Sequence, residues 1–371
     1  MRFAALVTGL VFSIAAAAAP VVGQFTLKGV TYKVEKLTEG HGVIWGMDFV
    51  AADQLLFTEK AGRLLLLDLR SGLAQTVKNP PEVYAAGQGG LLDLALAPDF
   101  TKSKWVYVSY AKRVGSKNTT ALARAQLDLP KRSFGPWEEL FVARPAFETA
   151  HHYGSRIAFD EQGHLFLSVG DRGQDQLAQS LESHSGKILR LTLEGRAAAG
   201  NPFEQDPKAL KEIWSYGHRN PQGLFFDKAS QKLYEHEHGP MGGDEINLIE
   251  GGKNYGWPVI TYGREYSGAP VGRGETARPG MEQPLHYYVP SIAPSGLLLY
   301  RSKALPAFTD RFVSGALALQ HLNVRSLSPC RSDCEERLVK NLQERVRDVA
   351  ADEAGAVYFS TDSGRIYRIT K

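Results

Sequence analysis

The sequence is poor in several features that would define a class of function. Only two of its 371 residues are cysteines, so the chain is not a disulfide-rich scaffold. Lysine and arginine exceed aspartate and glutamate by only three charges, and the two signs are mixed along the chain. This balance gives no basic stripe for nucleic acid and no acidic tail. Helical periodicity is scarce as well, and its best candidate, residues 208–213, is short.

Long apolar runs are confined to the N-terminus. Arg2 is followed by an apolar stretch over residues 3–19 that ends in small residues. This order is typical of a secretory signal peptide, so we expect residues 1–23 to be removed, with cleavage between Ala18 and Gln24. An uncleaved anchor is the alternative, although the run is short and rich in alanine. No later segment reaches about 18 apolar residues, so the mature chain is expected to lack a membrane span and to be periplasmic or secreted.

The two cysteines, Cys330 and Cys334, lie four positions apart in a polar segment. In an oxidising compartment this spacing allows a disulfide that closes a small loop, and a pair of unlinked thiols is the alternative. A zinc site is not supported, because no second cysteine pair or histidine cluster lies nearby to complete four ligands.

What the sequence repeats is a pair of β-rich runs separated by turn residues. The pattern occurs six times, at 55–67, 105–127, 164–191, 232–249, 312–327 and 356–369. Six similar units favour an all-β fold, a six-bladed β-propeller of four-stranded antiparallel blades, since a blade buries both faces only between two neighbours. A strand within residues 31–37 is expected to close the ring against the last blade. No Pro-, Ser- or Gly-rich linker is present, so we expect residues 24–371 to form one domain.

Four segments are dense in polar residues and glycine, and loops on one face of a propeller converge on its central channel. They are residues 151–156 with 170–173, residues 216–223, residues 237–258 and residues 344–348. A histidine among them is a natural proton acceptor near neutral pH, and Asp171 could orient its ring. Arg345 and Arg347 alternate with a valine, which on a strand places both guanidinium groups on one face. That arrangement suits an anion with several carboxylates.

The third segment is typical of a site for a hard cation. Asp244 and Glu245 offer carboxylate oxygens, and the surrounding glycines free backbone carbonyls, which calcium prefers as ligands. The spacing does not match an EF-hand loop. Each segment also has a simpler explanation, as an ordinary turn, a hydrogen-bonded surface histidine or a charged edge strand. The residues alone therefore support an exported propeller with a cationic pocket that could carry calcium.

Taken together, these segments resemble the soluble glucose dehydrogenase family that depends on pyrroloquinoline quinone (PQQ), and most closely its aldose sugar dehydrogenase branch. The resemblance runs from GQGGLLDLALAPDF at 87–100 to RIYRI at 365–369. Its most specific stretches are GHRNPQGL, EHGPMGGDEINLI, KNYGWP and PSIAPSGL, and ordered matches of this length are a strong signal. The resemblance implies oxidation of aldose sugars at C1 to aldonolactones, with PQQ and calcium as cofactors and an external electron acceptor.

The resemblance also implies roles for individual residues. His152 matches the general base that takes the proton from the anomeric hydroxyl, and Asp171 matches the carboxylate that orients it. Arg219 and Asn220 match the pair that binds the quinone oxygens, with Arg219 helping to polarise the reacting carbonyl. Gln88 matches a residue on the substrate side.

Six further residues match the family's ligands for its cofactors. They are Gly239 and Pro240, through their backbone carbonyls, for the calcium at PQQ; Glu245 and the carbonyl of Tyr255 for a second, structural calcium; and Arg345 and Arg347 for the carboxylates of PQQ.

The chain departs from the family pattern in three ways. The glucose dehydrogenase branch has a lysine against the cofactor in the penultimate blade, whereas the corresponding segment GALALQHLNVR has Gln320 and His321 instead. Either cofactor affinity is weaker or these residues substitute for the lysine. His151, beside the expected base, has no assigned role. The long inserted loops of the glucose enzyme are absent, which implies a more open site and broader sugar specificity.

The sequence leaves two other functions as alternatives. One is a propeller that binds a ligand without chemistry, since related folds also serve in recognition. The other is a calcium-dependent lactonase of the propeller type, which would use calcium-bound water. A pure binder needs no proton acceptor beside a quinone site, and a lactonase has no use for arginines that hold carboxylates. The sequence does not choose between a monomer and a homodimer.

Overall fold

The structure is a computed structural model that describes residues 19–328 and 334–371. Most of the expected signal peptide and Cys330 of the expected disulfide lie outside the described residues, so both stay predictions. Within the described part, no helix is long and apolar enough to cross a membrane.

Nearly all secondary structure is β-strand, as the sequence predicts. The strands, in chain order, are β1 (Val21–Leu27), β2 (Val30–Thr38), β3 (Ile44–Ala51), β4 (Gln54–Glu59), β5 (Arg63–Asp68), β6 (Ala74–Val77), β7 (Leu91–Leu96), β8 (Trp105–Val114), β9 (Lys117–Asp128), β10 (Ser133–Phe134), β11 (Glu138–Val142), β12 (Ile157–Phe159), β13 (His164–Val169), β14 (Lys187–Thr192), β15 (Ile213–Tyr216), β16 (Pro221–Asp227), β17 (Lys232–Glu237), β18 (Asp244–Ile249), β19 (His286–Tyr288), β20 (Pro294–Tyr300), β21 (Arg311–Ala316), β22 (His321–Ser326), β23 (Glu335–Leu338), β24 (Val346–Ala351), β25 (Val357–Thr361) and β26 (Ile366–Thr370). The described helices are α1 (Phe100–Ser103) and two 3-10 turns, Asp175–Gln179 and Lys340–Leu342.

The strands form six antiparallel sheets that follow one another along the chain. We number these blades 1 to 6; they contain β3–β6, β7–β11, β12–β15, β16–β19, β20–β23, and β24–β26 with β2 and β1. The first strand of each blade contacts the first strand of the next, and β24 of blade 6 contacts β3 of blade 1. The ring is therefore closed, and the fold is a six-bladed β-propeller.

Ring closure joins the two ends of the described chain. β2 pairs with β26, with Val34 opposite Ile369, so the N-terminal strands complete blade 6. This confirms the expectation for residues 31–37. The closing contact is a ladder of backbone hydrogen bonds, which gives the last blade no free edge next to β26.

The six repeated runs in the sequence are the hairpins formed by the second and third strands of each blade, such as β4 with β5 and β25 with β26. Both faces of these strands are buried, because each blade lies between two others. Leu55 and Leu56 are adjacent on β4, point to opposite faces, and are both fully buried.

Residues 208–213, the best candidate for helical periodicity in the sequence, do not form a helix. Their backbone N–H groups bond elsewhere: that of Lys208 donates to the side chain of Asp206, and that of Leu210 donates to the carbonyl of Leu181. These bonds form turns that lead into β15 instead of a helical ladder. The physical reason is that a run of six residues makes too few helical hydrogen bonds to outweigh these alternative partners.

Strand direction determines where the loops meet. In an antiparallel four-stranded blade, the loop that enters the first strand and the turn between the second and third strands lie at the same end. Gln88 and His152 lie in loops of the first kind, and Lys60, Asp171 and Asp362 lie in turns of the second kind. One end of the ring therefore collects polar residues that are far apart in the sequence.

A buried ion cluster lies among the innermost strands. The guanidinium Nη1 of Arg156, at the start of blade 3, is 2.9 Å from Oδ1 of Asp93 in blade 2 and 2.8 Å from Oδ1 of Asp348 in blade 6. All three side chains are at most 8% exposed. Burial and the charge of Asp93 raise the pKa of Asp348 to about 7, although Arg156 opposes this shift.

The same guanidinium also binds backbone and aromatic groups. Its Nε donates to the carbonyl of Gln222 in blade 4 at 2.8 Å, and its Nη2 donates to the carbonyl of Arg347 in blade 6 at 3.1 Å. The guanidinium carbon of Arg156 is 4.2 Å from the centroid of the Trp45 ring in blade 1. One side chain thus connects five of the six blades.

We expect Arg156→Leu to lower the free energy of unfolding by about 3–5 kcal/mol, because it leaves two buried carboxylates without a cation. Urea unfolding followed by circular dichroism measures the change. The matched control is Arg70→Leu, since Arg70 pairs with Asp53 at 2.9 Å in an exposed ion pair. This control should cost less than about 1 kcal/mol. Equal losses in the two variants would contradict the central role of Arg156.

Candidate active site

A histidine and an aspartate of blade 3 form a hydrogen-bonded pair. Nδ1 of His152 is 2.7 Å from Oδ1 of Asp171, which is fully buried. Asp171 also accepts the N–H of Gly173 at 2.7 Å and the indole N–H of Trp257 at 2.8 Å. Burial alone would raise the pKa of Asp171, but its hydrogen bonds and nearby positive charges lower that pKa below its usual value. Asp171 therefore stays ionised and directs the N–H of Nδ1 towards itself, which leaves Nε2 as the proton acceptor.

The loop that carries His152 is tightly held. Its backbone is left-handed at His152, with φ of 53°, and a Cβ added at Gly170 would lie 2.1 Å from the carbonyl oxygen of His152. The N–H of His152 donates to Oε1 of Gln88 at 2.8 Å. The ring of His151 packs edge-on against that of His152, with 4.8 Å between centroids. Strained, close-packed backbone of this kind is found at functional sites.

Arg219 and Asn220 lie in the loop before β16, and a buried carboxylate fixes this loop. Glu237, at the end of β17, accepts the N–H groups of Arg219 and Asn220, and its Oε1 is 3.1 Å from Nδ1 of His218. The N–H of Asp171 donates to the carbonyl of Arg219 at 2.8 Å. The loop of blade 4 is thereby joined to the histidine–aspartate pair of blade 3.

The side chain of Arg219 is only partly satisfied. Its Nη1 donates to the carbonyl oxygens of Gly239 at 2.8 Å and His238 at 3.2 Å. Its guanidinium carbon lies 5.2 Å from the centroid of the Trp257 ring. Its Nε is buried, and no described residue accepts a hydrogen bond from it. A buried donor without an acceptor costs about 1–3 kcal/mol, so this nitrogen marks a place where a ligand oxygen would be favourable.

Two arginines of blade 6 share one carboxylate. Nε of Arg345 is 2.8 Å from Oδ2 of Asp362, and Nε of Arg347 is 2.7 Å from Oδ1 of the same side chain. Both guanidinium groups therefore meet at Asp362, although Arg345 precedes β24 and the strand register is irregular between Val346 and Asp348. A single aspartate neutralises only one of the two positive charges.

These loops enclose a cavity of about 310 Å³, to which all six blades contribute. Its polar lining side chains are Lys60, Gln88, Asn220, Gln222, His238, Arg345, Arg347 and Asp362. Burial lowers the pKa of His238 to about 3, so this ring is neutral at physiological pH. Three positive side chains and one negative one leave a surplus of two positive charges in the cavity. Such a cavity suits an anion.

A smaller cavity next to this one is acidic. It is lined by Arg219, Gly239, Glu237, Glu245 and Tyr255, among others. Three of the four residues expected to hold two separate calcium ions, Gly239, Glu245 and Tyr255, therefore line one cavity. The carbonyl of Gly239 accepts a hydrogen bond from Arg219, so a calcium ion on that oxygen would use its second lone pair.

Three glutamates face each other across β17 and β18 beside this cavity. Glu237 is directly opposite Glu245, and Asn247, opposite Glu235, donates to Oε2 of Glu235 at 3.1 Å. Within the described chain no lysine or arginine lies within 4.0 Å of these carboxylates to form an ion pair. Burial and mutual repulsion raise the pKa values of Glu235 and Glu245 well above normal.

Two buried oxygens in this cluster, Oε1 of Glu235 and Oδ1 of Asn247, have no described partner. Ligand atoms of His218, Glu235 and Glu237 lie within 4.8 Å of one another. Like charges paired directly across a sheet are destabilising, so a divalent cation fits this donor set.

Comparison with known proteins agrees with this geometry. The glucose/sorbosone dehydrogenase family model matches residues 41–368. The aldose sugar dehydrogenase YliI of Escherichia coli is 37% identical over 347 residues, which span 92% of this chain and 93% of that protein.

The chain belongs to the glucose/sorbosone dehydrogenase family.

Solved structures of related enzymes share the fold. The soluble aldose sugar dehydrogenase of Escherichia coli, in its apo form, superposes with a TM-score of 0.86 at 34% identity, over 91% of this chain and 99% of that one. The PQQ-bound aldose sugar dehydrogenase of Streptomyces coelicolor superposes with a TM-score of 0.75 at 26% identity, over 95% of this chain and 99% of that one. Membership of this family makes the chain an oxidoreductase.

Most of the site residues expected for this family come together. Gln88, Asn220, Arg345 and Arg347 line the larger cavity, and Arg219 lines the smaller one. His152 and Asp171 line neither of them, but His152 adjoins the larger cavity through its hydrogen bond to Gln88. Gly239, Glu245 and Tyr255 line the smaller one, and Pro240 follows Gly239 in its loop. Their individual roles stay predictions.

The expectation for Asp244 is wrong, because this side chain does not face the glutamate cluster. Its Oδ1 accepts the N–H of Gly239 at 3.0 Å. Its Oδ2 accepts the hydroxyl of Ser291 at 2.6 Å and the N–H of Ile292 at 2.8 Å. Because Asp244 and Glu245 are neighbours on β18, they point to opposite faces of the sheet. Asp244 therefore anchors the loop before β20.

Of the two alternatives for the missing family lysine, the structure does not support substitution by Gln320 or His321. Gln320 is exposed, and His321 is buried with its Nδ1 3.2 Å from the carbonyl of Leu319. Neither lines the cationic cavity, where blade 5 contributes Leu317 and Ala293.

Several residues of the site were not found from the sequence. Asp362 and Lys60 lie in equivalent turns of blades 6 and 1, TDSGR and EKAGR, and comparing these two turns could have found both. Trp257 lies in the KNYGWP stretch, which was recognised without a role for its indole. The place of Glu235 in the buried cluster could not be predicted from the sequence, because a lone glutamate on a strand is normally exposed.

We expect calcium to stabilise the protein and Glu245→Gln to remove that effect, because Glu245 lies directly opposite Glu237 in the glutamate cluster that would hold the cation. Calorimetry of the protein with a chelator and with added calcium measures this stabilisation. Calcium at a hundred times its dissociation constant adds about 2.7 kcal/mol. The control is Glu250→Gln, an exposed glutamate just after β18, which should respond like the wild type. If the unfolding temperature of the wild type does not change with calcium, this expectation is contradicted.

Proposed function

We propose that this protein is an exported, PQQ-dependent aldose dehydrogenase that oxidises aldose sugars at C1 to aldonolactones and passes electrons to an external acceptor. The observation that carries the proposal is the His152–Asp171 pair, whose histidine donates its backbone N–H to Gln88 in the lining of a cavity with surplus positive charge. The family match and the PQQ-bound relative from Streptomyces coelicolor support it.

The residues present fit PQQ, a planar quinone with three carboxylates. Arg345 and Arg347 together carry one positive charge more than Asp362 neutralises, and forked guanidinium donors suit carboxylates. Nε of Arg219 lacks an acceptor, and Asn220 lines the cavity, so these side chains would hold oxygens of the bound ring. The indole of Trp45 and the ring of Tyr153 supply apolar lining.

The chemistry divides between the cofactors and the chain. When bound, PQQ supplies the hydride acceptor and calcium supplies a Lewis acid. The chain supplies the base: Nε2 of His152 accepts the proton of the anomeric hydroxyl as the hydride departs from C1. Asp171, held ionised by its hydrogen bonds, stabilises the imidazolium that forms. Trp257 and Gly173 keep Asp171 in position throughout.

Reconstitution tests the proposal. The purified protein with PQQ and calcium is expected to reduce a redox dye when glucose is added, and to do so only with PQQ. Lactone hydrolysis without PQQ would instead identify a lactonase, and PQQ binding without turnover would identify a binding protein.

We expect His152→Ala to keep PQQ binding while losing about 10²–10⁴-fold in turnover, because it removes the general base. The matched control is His164→Ala: His164 makes a histidine–aspartate pair with Asp160 at the same 2.7 Å distance, outside the cavity. This control should retain turnover. Wild-type turnover in His152→Ala would remove His152 from the mechanism.

Export is the second part of the proposal, and it is supported by the charged, apolar and small-residue order of the N-terminus. β1 begins at Val21, so cleavage at or before that residue leaves the first strand whole. We expect N-terminal sequencing of protein from the periplasm or medium to start between Ala18 and Gln24. Protein found in the cytoplasm with Met1 retained would contradict export.

A further inference from the structure

Lys60 is held at the wall of the cationic cavity by its own backbone. It lies in the turn between β4 and β5, where its N–H donates to the carbonyl of Val43 at 2.9 Å and its carbonyl accepts the N–H of Leu91 at 3.0 Å. A Cβ added at Gly90 would lie 2.0 Å from the Lys60 carbonyl oxygen, so the turn packs closely on blade 2. The backbone therefore keeps this lysine at the end of the ring where the loops meet.

Its side chain reaches the cavity without meeting a carboxylate. Nζ donates to the carbonyl of Gly87 at 2.6 Å. Within the described chain, no aspartate or glutamate oxygen forms an ion pair with this ammonium group. Asp362, the acidic side chain of the cavity lining, is already shared by Arg345 and Arg347.

The positive charge near Lys60 disfavours the protonated form of its side chain. Partial burial and the positive charge of Arg347 lower its pKa, and Asp362 only partly opposes this. Asp362 offsets only one of the three positive charges in this lining, so the remaining positive charge favours an anion in the same space. Blade 5 adds no charged side chain to this lining.

We propose that Lys60 binds a carboxylate of the cofactor and acts with Arg345 and Arg347 as the third cation of the site. The inference rests on the proposed function, since it names a contact to PQQ, a tricarboxylate. It goes beyond that proposal because Lys60 lies in blade 1, in a turn to which the family resemblance assigned nothing.

Equilibrium titration of the apoprotein with PQQ in the presence of calcium, followed by quenching of tryptophan fluorescence, tests the contact. Lys60→Met should weaken PQQ binding about ten-fold or more, as expected for a charge-assisted hydrogen bond. Lys60→Arg should stay within about three-fold of the wild type, because it keeps the charge. Lys102→Met, at an exposed lysine in α1, is the control and should bind normally.

A structural role for Lys60 makes a different prediction. If Lys60 acts only by holding Gly87, and with it Gln88, its loss should weaken binding of any form of the cofactor equally. The trimethyl ester of PQQ, which has no charged carboxylate, separates the two roles. A charge contact predicts that Lys60→Met and wild type bind the ester with equal affinity.

Two outcomes would overturn the inference alone: wild-type PQQ affinity in Lys60→Met, or an equal deficit for PQQ and its ester. Failure of the wild-type protein to bind PQQ at all would instead overturn the proposed function, and the inference with it. Thermal melting of each variant shows that the fold is intact.

Discussion

The architecture depends on one buried guanidinium. Arg156 binds Asp93 and Asp348, donates to the carbonyls of Gln222 and Arg347, and packs on Trp45. Gln222, Arg347 and Trp45 also line the cationic cavity, so the ion cluster supports its floor. Packing between similar blades does not by itself fix how their innermost strands align at the centre of the ring. A charged cluster shared by five blades fixes this alignment. The position of the cofactor arginines is thus linked to the stability of the whole ring.

The site is distributed because the fold requires it. Each antiparallel blade sends a loop and a turn to the same end of the ring, so no single segment holds enough groups for catalysis. Blade 3 contributes His152, the proposed base, blade 4 contributes the partly satisfied Arg219, and blade 6 contributes the paired arginines. The turn of blade 1 adds Lys60. The outcome is two adjoining cavities of opposite charge, one suited to an anion and the other to a divalent cation.

Much of this could be predicted from the sequence, and the failures have physical causes. The hairpins were visible because both faces of each strand are buried, which leaves long β-rich runs. The spacing of Arg345 and Arg347 predicted that their guanidinium groups lie together, and both bind Asp362. Neighbouring residues on a strand point to opposite faces, so Asp244 and Glu245 cannot face the same cation. Overlooking this rule led to the wrong prediction for Asp244. Asp362 and Lys60 were missed because their roles arise from neighbours in other blades, which no local pattern reports.

The central claim is spatial: groups from distant blades form one pocket for an anionic quinone beside His152. A crystal structure of the protein with PQQ and calcium tests it most directly. The account predicts PQQ in the cavity of about 310 Å³, with its carboxylates among the cationic side chains and its ring next to His152. PQQ bound elsewhere on the molecule, with that cavity holding only water, would contradict the account.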